Sequence, residues 1–209
     1  MAARPEMKIE PVRVPFIGDD SLLAQALKAS QPGAREALYD RYAAHVRGVL
    51  VRTLGTNVDL QDHLHNVFIE AFASTSGIRD DARLKSWLTS VAVYTAIAHI
   101  RKTSRKRWLV FSPPEELPDL ESNDVDAEKR HALQQVYEVL GKMSVKERVP
   151  FSLRVIDGMP LQDVADACNV SLATIKRRIT KARQRFLVLA KSYPLLLELM
   201  EDDVSWRQV

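Results

Sequence analysis

The chain has 209 residues, a formal net charge of +3 and one cysteine, Cys168. That length allows one large or two small domains, while a single cysteine rules out an intramolecular disulfide and argues against a cysteine-built zinc site. No apolar run approaches the length of a membrane span and the first residues lack the basic-then-apolar pattern of a signal peptide, so no membrane insertion and a reducing, cytoplasmic setting are expected.

Residues 1–20 carry Pro5, Pro11 and Pro15 without a sustained period and read as a mobile N-terminal arm. From Ser21 the apolar positions turn helical, first Leu22, Leu23, Ala26 and Leu27, then, past the Pro32-Gly33 break, Ala37, Leu38, Tyr42, Val46, Val49 and Leu50. A third helix, starting near Val58, sets Leu60, Leu64, Val67, Phe68, Ala71 and Phe72 on one face. A polar loop running to Arg83 separates it from a fourth helix over about Leu84 to Lys106. Residues 21–108 therefore read as one helical domain. Residues 109–126, with Pro113, Pro114 and Pro118 among acids, cannot bury a core of their own and read as a flexible linker.

Helical patterning returns near Ala127 and passes through Leu133, Val136, Tyr137, Leu140 and Met143. Ser144 and Glu147 have the spacing of a capping box, Asp157-Gly158 is a helix end, and Pro150 between them should kink the helix because it removes a backbone donor. Next comes PLQDVADACNVSLATIKRRITKARQRFLVLAK, Pro160 to Lys191. Leu161, Val164, Ala165 and Cys168 keep helical spacing, and after Asn169 the period resumes at Leu172, Ile175, Ile179, Phe186 and Leu189. Two helices joined by a very short turn are predicted. Asn169 tolerates the left-handed conformation such a turn needs, Ser171 can cap the second helix, and Ala165 lets the two cross closely. The second helix carries Lys176, Arg177, Arg178, Lys181, Arg183, Arg185 and Lys191 and no acid, the pattern of a recognition helix in the major groove. A solvated basic helix in a bundle is the other reading of the charges. Residues 127–191 form this second domain. The tail, 192–209, holds Leu195, Leu196, Leu197, Leu199 and Met200, an apolar patch for the domain itself or for a partner. The fold class expected is all-α, two small helical domains joined by a flexible acidic linker, the C-terminal one containing a helix-turn-helix.

Charge is segregated. Arg101, Lys102, Arg105, Lys106 and Arg107 form a basic block, while Glu115, Glu116, Asp119, Glu121, Asp124, Asp126 and Glu128 follow with no Lys or Arg between them. Such asymmetry suits a protein that meets polyanions at two places. Phe72, Trp87, Tyr94 and Trp108 lie near the basic block in sequence, and aromatic faces beside cations hold unstacked bases. Phe72 and Trp87, each taken alone, read more readily as core; Tyr94 and Trp108 are the better candidates for exposed contacts. His63 and His65, two apart, fall on different helix faces, and no carboxylate cluster completes a metal set. With no nucleophile motif and no glycine-rich phosphate loop, the expectation is no catalytic residue, no metal, no cofactor and no enzymatic activity.

From Ser21 to Ala190 the arrangement resembles a bacterial RNA polymerase sigma factor of the extracytoplasmic-function (ECF) group of the sigma-70 family. The Asp157-Gly158 corner, Asp163-Val164-Ala165, and Ala173-Thr174-Ile175-Lys176 with Arg178, Ala182 and Arg183 look like the family's fourth region, whose helix-turn-helix reads the −35 promoter element. Ala173 stands where the family usually has glycine. DLQDHLHNVFIEAF is similar to the second-region helix that docks on the clamp coiled coil of RNA polymerase, with His65 and Asn66 where a glutamine and an acid are usual. LKSWLTSVAVYTAIAHIRK looks like the next helix, which captures the −10 element, with Tyr94 and Ala98 in place of asparagine and aspartate.

The resemblance implies a dissociable promoter-specificity subunit with core RNA polymerase and promoter DNA as partners, held in check, as family members usually are, by an anti-sigma factor. Residues implied for the −35 element are Ser171, Ala173, Thr174, Lys176, Arg177, Arg178 and Lys181. For the −10 element they are Tyr94, Arg101, Lys102 and Trp108, and for polymerase docking Asp62, Leu64, His65, Val67 and Phe68. Two rivals remain at this point: a stand-alone helix-turn-helix regulator with weakened polymerase docking, and a protein-interaction module whose DNA contact is vestigial.

Overall fold

The computed structural model describes residues 16–56, 58–104 and 127–202. Most of the arm, Trp108, Arg105 to Arg107, the linker 109–126 and the end of the tail lie outside the described residues. Among the described residues every regular element is helical.

The first bundle comprises α1 (Asp20–Lys28), α2 (Ala34–Leu54), α3 (Leu60–Ala73) and α4 (Leu84–Ser104). Local chemistry sets each start. The Asp19 carboxylate accepts from Leu22 N at 2.9 Å, and Asp59, one residue after the predicted start at Val58, accepts from Asp62 N at 3.0 Å. Both satisfy amides that have no partner inside the helix. Leu23, Leu27, Leu38, Val46, Leu50, Leu64, Val67, Phe68, Leu84, Leu88 and Ala92 fill the core, whereas Leu22, read as part of the apolar face, is exposed. α4 is covered on several sides, so its polar residues need internal partners. Thr89 donates to Lys85 O at 2.8 Å and meets His45 Nε2 at 2.8 Å, and Ser90 donates to Ser86 O.

The second bundle comprises α5 (Ala127–Gly141), α6 (Val145–Phe151), α7 (Leu161–Ala167), α8 (Leu172–Ala190) and α9 (Pro194–Asp202). Glu147 accepts from Ser144 N at 3.3 Å and from Ser144 Oγ at 2.7 Å at the start of α6. Pro150 does not end that helix; just past it the ladder widens into one π turn, Ser152–Ile156, closed by Asp157 N on Ser152 O. Gly158, at φ 65°, then lets Met159 N bond Leu153 O and turns the chain toward α7. Phe151 and Phe186 stack at 4.6 Å in the C-terminal core. Leu196 of α9 is buried against that core and Leu197 packs beside it, so these two tail residues face their own domain.

The two bundles are not held apart. Val149, Leu153, Met159, Val164 and Ala165 belong to one continuous apolar cluster with Leu88, Ala92 and Leu50, with α4 lying against α7 and α2 against α6. The pattern of apolar residues marked each bundle's core but not this shared one.

Candidate nucleic-acid interface

The turn between α7 and α8 takes the form its residues dictate. Asn169 sits at φ 52°, and Val170 N bonds back to Ala165 O at 3.0 Å. Ser171 Oγ accepts from Thr174 N at 3.3 Å and lies 2.9 Å from Thr174 Oγ1, so both hydroxyls serve first as a cap. Ile175, Ile179, Ala182 and Phe186 are buried along one side of α8. Ser171, Ala173, Lys176, Arg177 and Lys181 are exposed, while Thr174 and Arg178 are half-buried. Leu172, read as apolar core, is partly open to solvent at 36 %.

In the first bundle Arg101 and Lys102 are exposed at the end of α4, and Tyr94 presents a ring that is 69 % exposed. Phe72 and Trp87 are half-buried, and Phe72 carries the guanidinium of Arg35 over its ring at 5.5 Å. The docking assignments on α3 need correction. Leu64, Val67 and Phe68 are 4 %, 0 % and 3 % exposed, because their spacing faces them into the bundle core. They position α3 without offering a surface. The exposed face is Asp62, His65, Asn66 and Ile69, the last 61 % exposed and missed by sequence reasoning. The signal was present in the chain: an i, i+3, i+4, i+7 stripe beside the buried one.

A cleft of about 450 Å³ lies where the loop before α4 meets α7, lined by Arg79, Arg83 and Trp87 on one side and Asp163 and Asp166 on the other. Arg83 pairs with Asp163. A second cavity, about 270 Å³, lies between Ile97, Ile100 and Arg101 of α4, Val149 and Pro150 of α6, and Cys168 and Arg178. Burial pushes the Cys168 thiol up to about 11, against the smaller opposing pull of Arg178, so it is no ready nucleophile. Burial likewise pulls Arg148 down to about 10, still charged at neutral pH. Among the described residues no group of three or more His, Cys, Asp or Glu side chains is placed to hold a metal ion. No helix among them is long and apolar enough to cross a membrane.

The chain matches two family descriptions in tandem, "Sigma-70 region 2" over residues 38–106 and "Sigma-70, region 4" over residues 133–186. It is 25 % identical over 192 residues to the ECF RNA polymerase sigma-E factor of Haemophilus influenzae, a span covering 85 % of this chain and 97 % of the relative. It is 26 % identical over 179 residues to the ECF sigma factor SigX of Bacillus subtilis, covering 81 % of this chain and 89 % of that protein. Among solved structures it is similar to the sigma factor RpoE of Bartonella quintana in complex with the anti-sigma factor NepR, at 20 % identity and a TM-score of 0.61, over 75 % of this chain and 96 % of that one. CnrH in complex with the cytosolic domain of CnrY matches at 20 % identity and a TM-score of 0.57, over 83 % and 98 %. With both regions present in order and each on its own helical bundle, the chain belongs to the sigma-70 family, in its extracytoplasmic-function group.

Proposed function

We propose that the chain binds core RNA polymerase through the exposed face of α3 and directs initiation by engaging the −10 element with the first bundle and the −35 element with α8. The observation that carries this reading is the tandem of region 2 and region 4 in one chain, with α8 capped by Ser171 and carrying exposed Lys176, Arg177 and Lys181. Those three cations supply the phosphate-directed attraction that protein–DNA affinity rests on, and Arg178, Ser171, Ala173 and Thr174 lie near them on the first turns. Tyr94, Arg101 and Lys102 combine a stacking face with backbone-tracking cations, which suits an opened strand.

Asp62, His65, Asn66 and Ile69 offer a mixed surface for the clamp, more apolar and less acidic than the family pattern. In this role the chain supplies specificity without catalysis of its own and works in the cytoplasm, where polymerase is. One of the two similar solved structures is a complex with an anti-sigma factor, and we extend such an antagonist to this chain. The test is run-off transcription from a promoter selected with the full chain and core polymerase. Wild type should give specific transcripts, and a chain with Lys176, Arg177 and Lys181 all changed to Ala should give few. Promoter binding without any polymerase-dependent transcript would instead support a stand-alone regulator.

A further inference from the structure

The seam between the bundles does not fill completely. Where α4 faces α6 and the α7–α8 turn it leaves the cavity of about 270 Å³ and, sharing Ile97, Arg101, Cys168 and Asn169 with it, a hollow of about 240 Å³ beside Tyr94. The walls are tied to each other elsewhere along the seam: Arg52 of α2 pairs with Asp157 at 2.5 Å, and the Arg148 guanidinium donates to Thr53 O at 2.8 Å. The space is therefore preformed, and a molecule entering it has little of the protein to order.

Its lining has two parts. Ile97 and Ile100 of α4, Val145 and Val149 of α6 and Val170 of the turn make an aliphatic floor. Arg101, Lys146 and Arg178 come from three different helices, and no Asp or Glu stands among the lining residues. Among the described residues neither Lys146 nor Arg178 forms an ion pair. The field of Arg178 reaches the cavity wall, where it opposes the effect of burial on the Cys168 thiol. An aliphatic floor beside like charges suits the two ends of one molecule, a hydrocarbon body that leaves water and an anionic head that takes charge-assisted hydrogen bonds. At about 30 Å³ for each water-sized group the cavity holds roughly nine, the size of a medium-chain carboxylate. An inorganic anion would leave the floor uncovered, and a neutral hydrocarbon would leave the cations without a counter-charge.

We propose that this cavity is a binding site for a medium-chain aliphatic carboxylate, its chain on the isoleucines and valines and its head on Arg101, Lys146 and Arg178. The site stands on the cavity itself, whereas its consequence rests on the sigma-factor reading above. Arg101 and Arg178 are assigned to the −10 and −35 elements, so a carboxylate that neutralises them competes with DNA phosphates for the same cations. Ligand and promoter then weaken each other by one and the same factor.

The probe is sodium octanoate, titrated by calorimetry into the full chain, with octylammonium and octanol as its cationic and neutral counterparts. Octanoate should saturate one site, and both counterparts should bind at least about tenfold more weakly, having lost the charge-assisted bonds. Arg178→Gln and Lys146→Gln should each weaken octanoate about tenfold for the same reason. Arg185→Gln, at an exposed position further along α8, should leave it unchanged, and Ile100→Trp should abolish binding by filling the floor. Each variant is checked for a wild-type helical circular dichroism spectrum. Cys168, the chain's only cysteine, locates the site: its labelling by a maleimide should slow in step with occupancy. No saturable binding, equal binding of octylammonium, or full-rate labelling of Cys168 at saturation overturns the proposal. In a second arm, anisotropy of labelled promoter DNA should show affinity falling about fivefold at saturating octanoate, against sodium acetate at the same concentration. Unchanged promoter affinity overturns the competition, whereas a chain that binds no promoter sinks the sigma reading and leaves calorimetry and Cys168 to decide the site.

Discussion

Arg148 donates to the main-chain carbonyl of Thr53 at 2.8 Å, joining residues 95 positions apart in the chain. Thr53 lies in the last turn of α2, where carbonyls have no partner inside the helix and the helix dipole attracts a cation. The same guanidinium reaches Leu140 O at 3.4 Å and Met143 O at 3.5 Å, so one buried side chain closes the end of α5 and the end of α2 together.

Arg148→Met should therefore cost about 2–4 kcal/mol, since it takes the side-chain donor from the buried carbonyls of Thr53 and Met143, while Leu140 O keeps its bond from Met143 N. Urea unfolding followed by circular dichroism measures this, and Arg148→Lys, which keeps the charge but loses the fork, should fall between. A methionine variant as stable as wild type would mean that the carbonyls find water.

His63 of α3 and His99 of α4 meet edge to face, their ring centroids 4.2 Å apart. Both titrate below the ordinary histidine value, His63 through burial against the weaker pull of Asp62 and Asp59, His99 through burial and then the charges of His63 and Lys102. The unfolded chain takes up these protons first, so the contribution of the pair to stability is complete above about pH 6.5 and is lost as pH falls through the folded values. His99→Gln should flatten the fall of melting temperature on acidification, and proton NMR of the ring signals should give both midpoints below those of a denatured control.

On α8, replacing Lys176, Arg177 or Lys181 singly should lower the salt slope of promoter binding by about one wherever the cation neutralises a phosphate. A residue that reads a base should instead cost roughly 1–3 kcal/mol and blur one promoter position. Anisotropy across a salt series, repeated with scrambled DNA, separates the two. Unchanged binding by the triple alanine variant would remove α8 from the DNA surface.

For α3 the exposed stripe and the buried one predict different phenotypes. Phe68→Ala should cost about 3–5 kcal/mol of stability by opening a cavity. Ile69→Ser should leave unfolding within about 0.5 kcal/mol of wild type yet weaken binding to core polymerase. Asn66→Glu should strengthen that binding, mainly through a faster encounter with a basic clamp. If neither Ile69→Ser nor Asn66→Glu changes the titration of labelled core enzyme, polymerase docks elsewhere.

Within each bundle the helices are legible from sequence because their signals are local: Asn169 at the turn, Glu147 three residues after Ser144, Gly158 at a helix end. The failures are equally physical. Leu64, Val67 and Phe68 read as an outward surface because an apolar ridge looks the same whether a partner or a core will cover it. Arg79, Arg83 and Trp87 stand four apart in the chain, yet nothing local shows that the cleft they line is completed by Asp163 and Asp166, far along the sequence. Arg52, Arg83 and Arg148 carry no signal of their own in the sequence, because no local pattern announces that an arginine's partner lies in the other bundle. Pro150 is expected to disturb its helix, and it does so one turn later than the missing donor alone suggests, as the π turn from Ser152.

The shared apolar cluster has a consequence at high concentration. Val149, Leu153, Met159 and Val164 are covered by the first bundle through contact alone, with no covalent tie at the seam. Nothing in that contact distinguishes a chain's own first bundle from the identical bundle of a neighbour. Once two chains are open together, each can close on the other, forming a reciprocal pair that buries the same side chains and remakes Arg52–Asp157 and Arg83–Asp163 between copies. The local concentration of one bundle around the other, on the order of millimolar for a short connection, sets the point at which exchange overtakes self-closure. The expected outcome of storage near that concentration is a swapped dimer, which size-exclusion chromatography across a concentration series would detect.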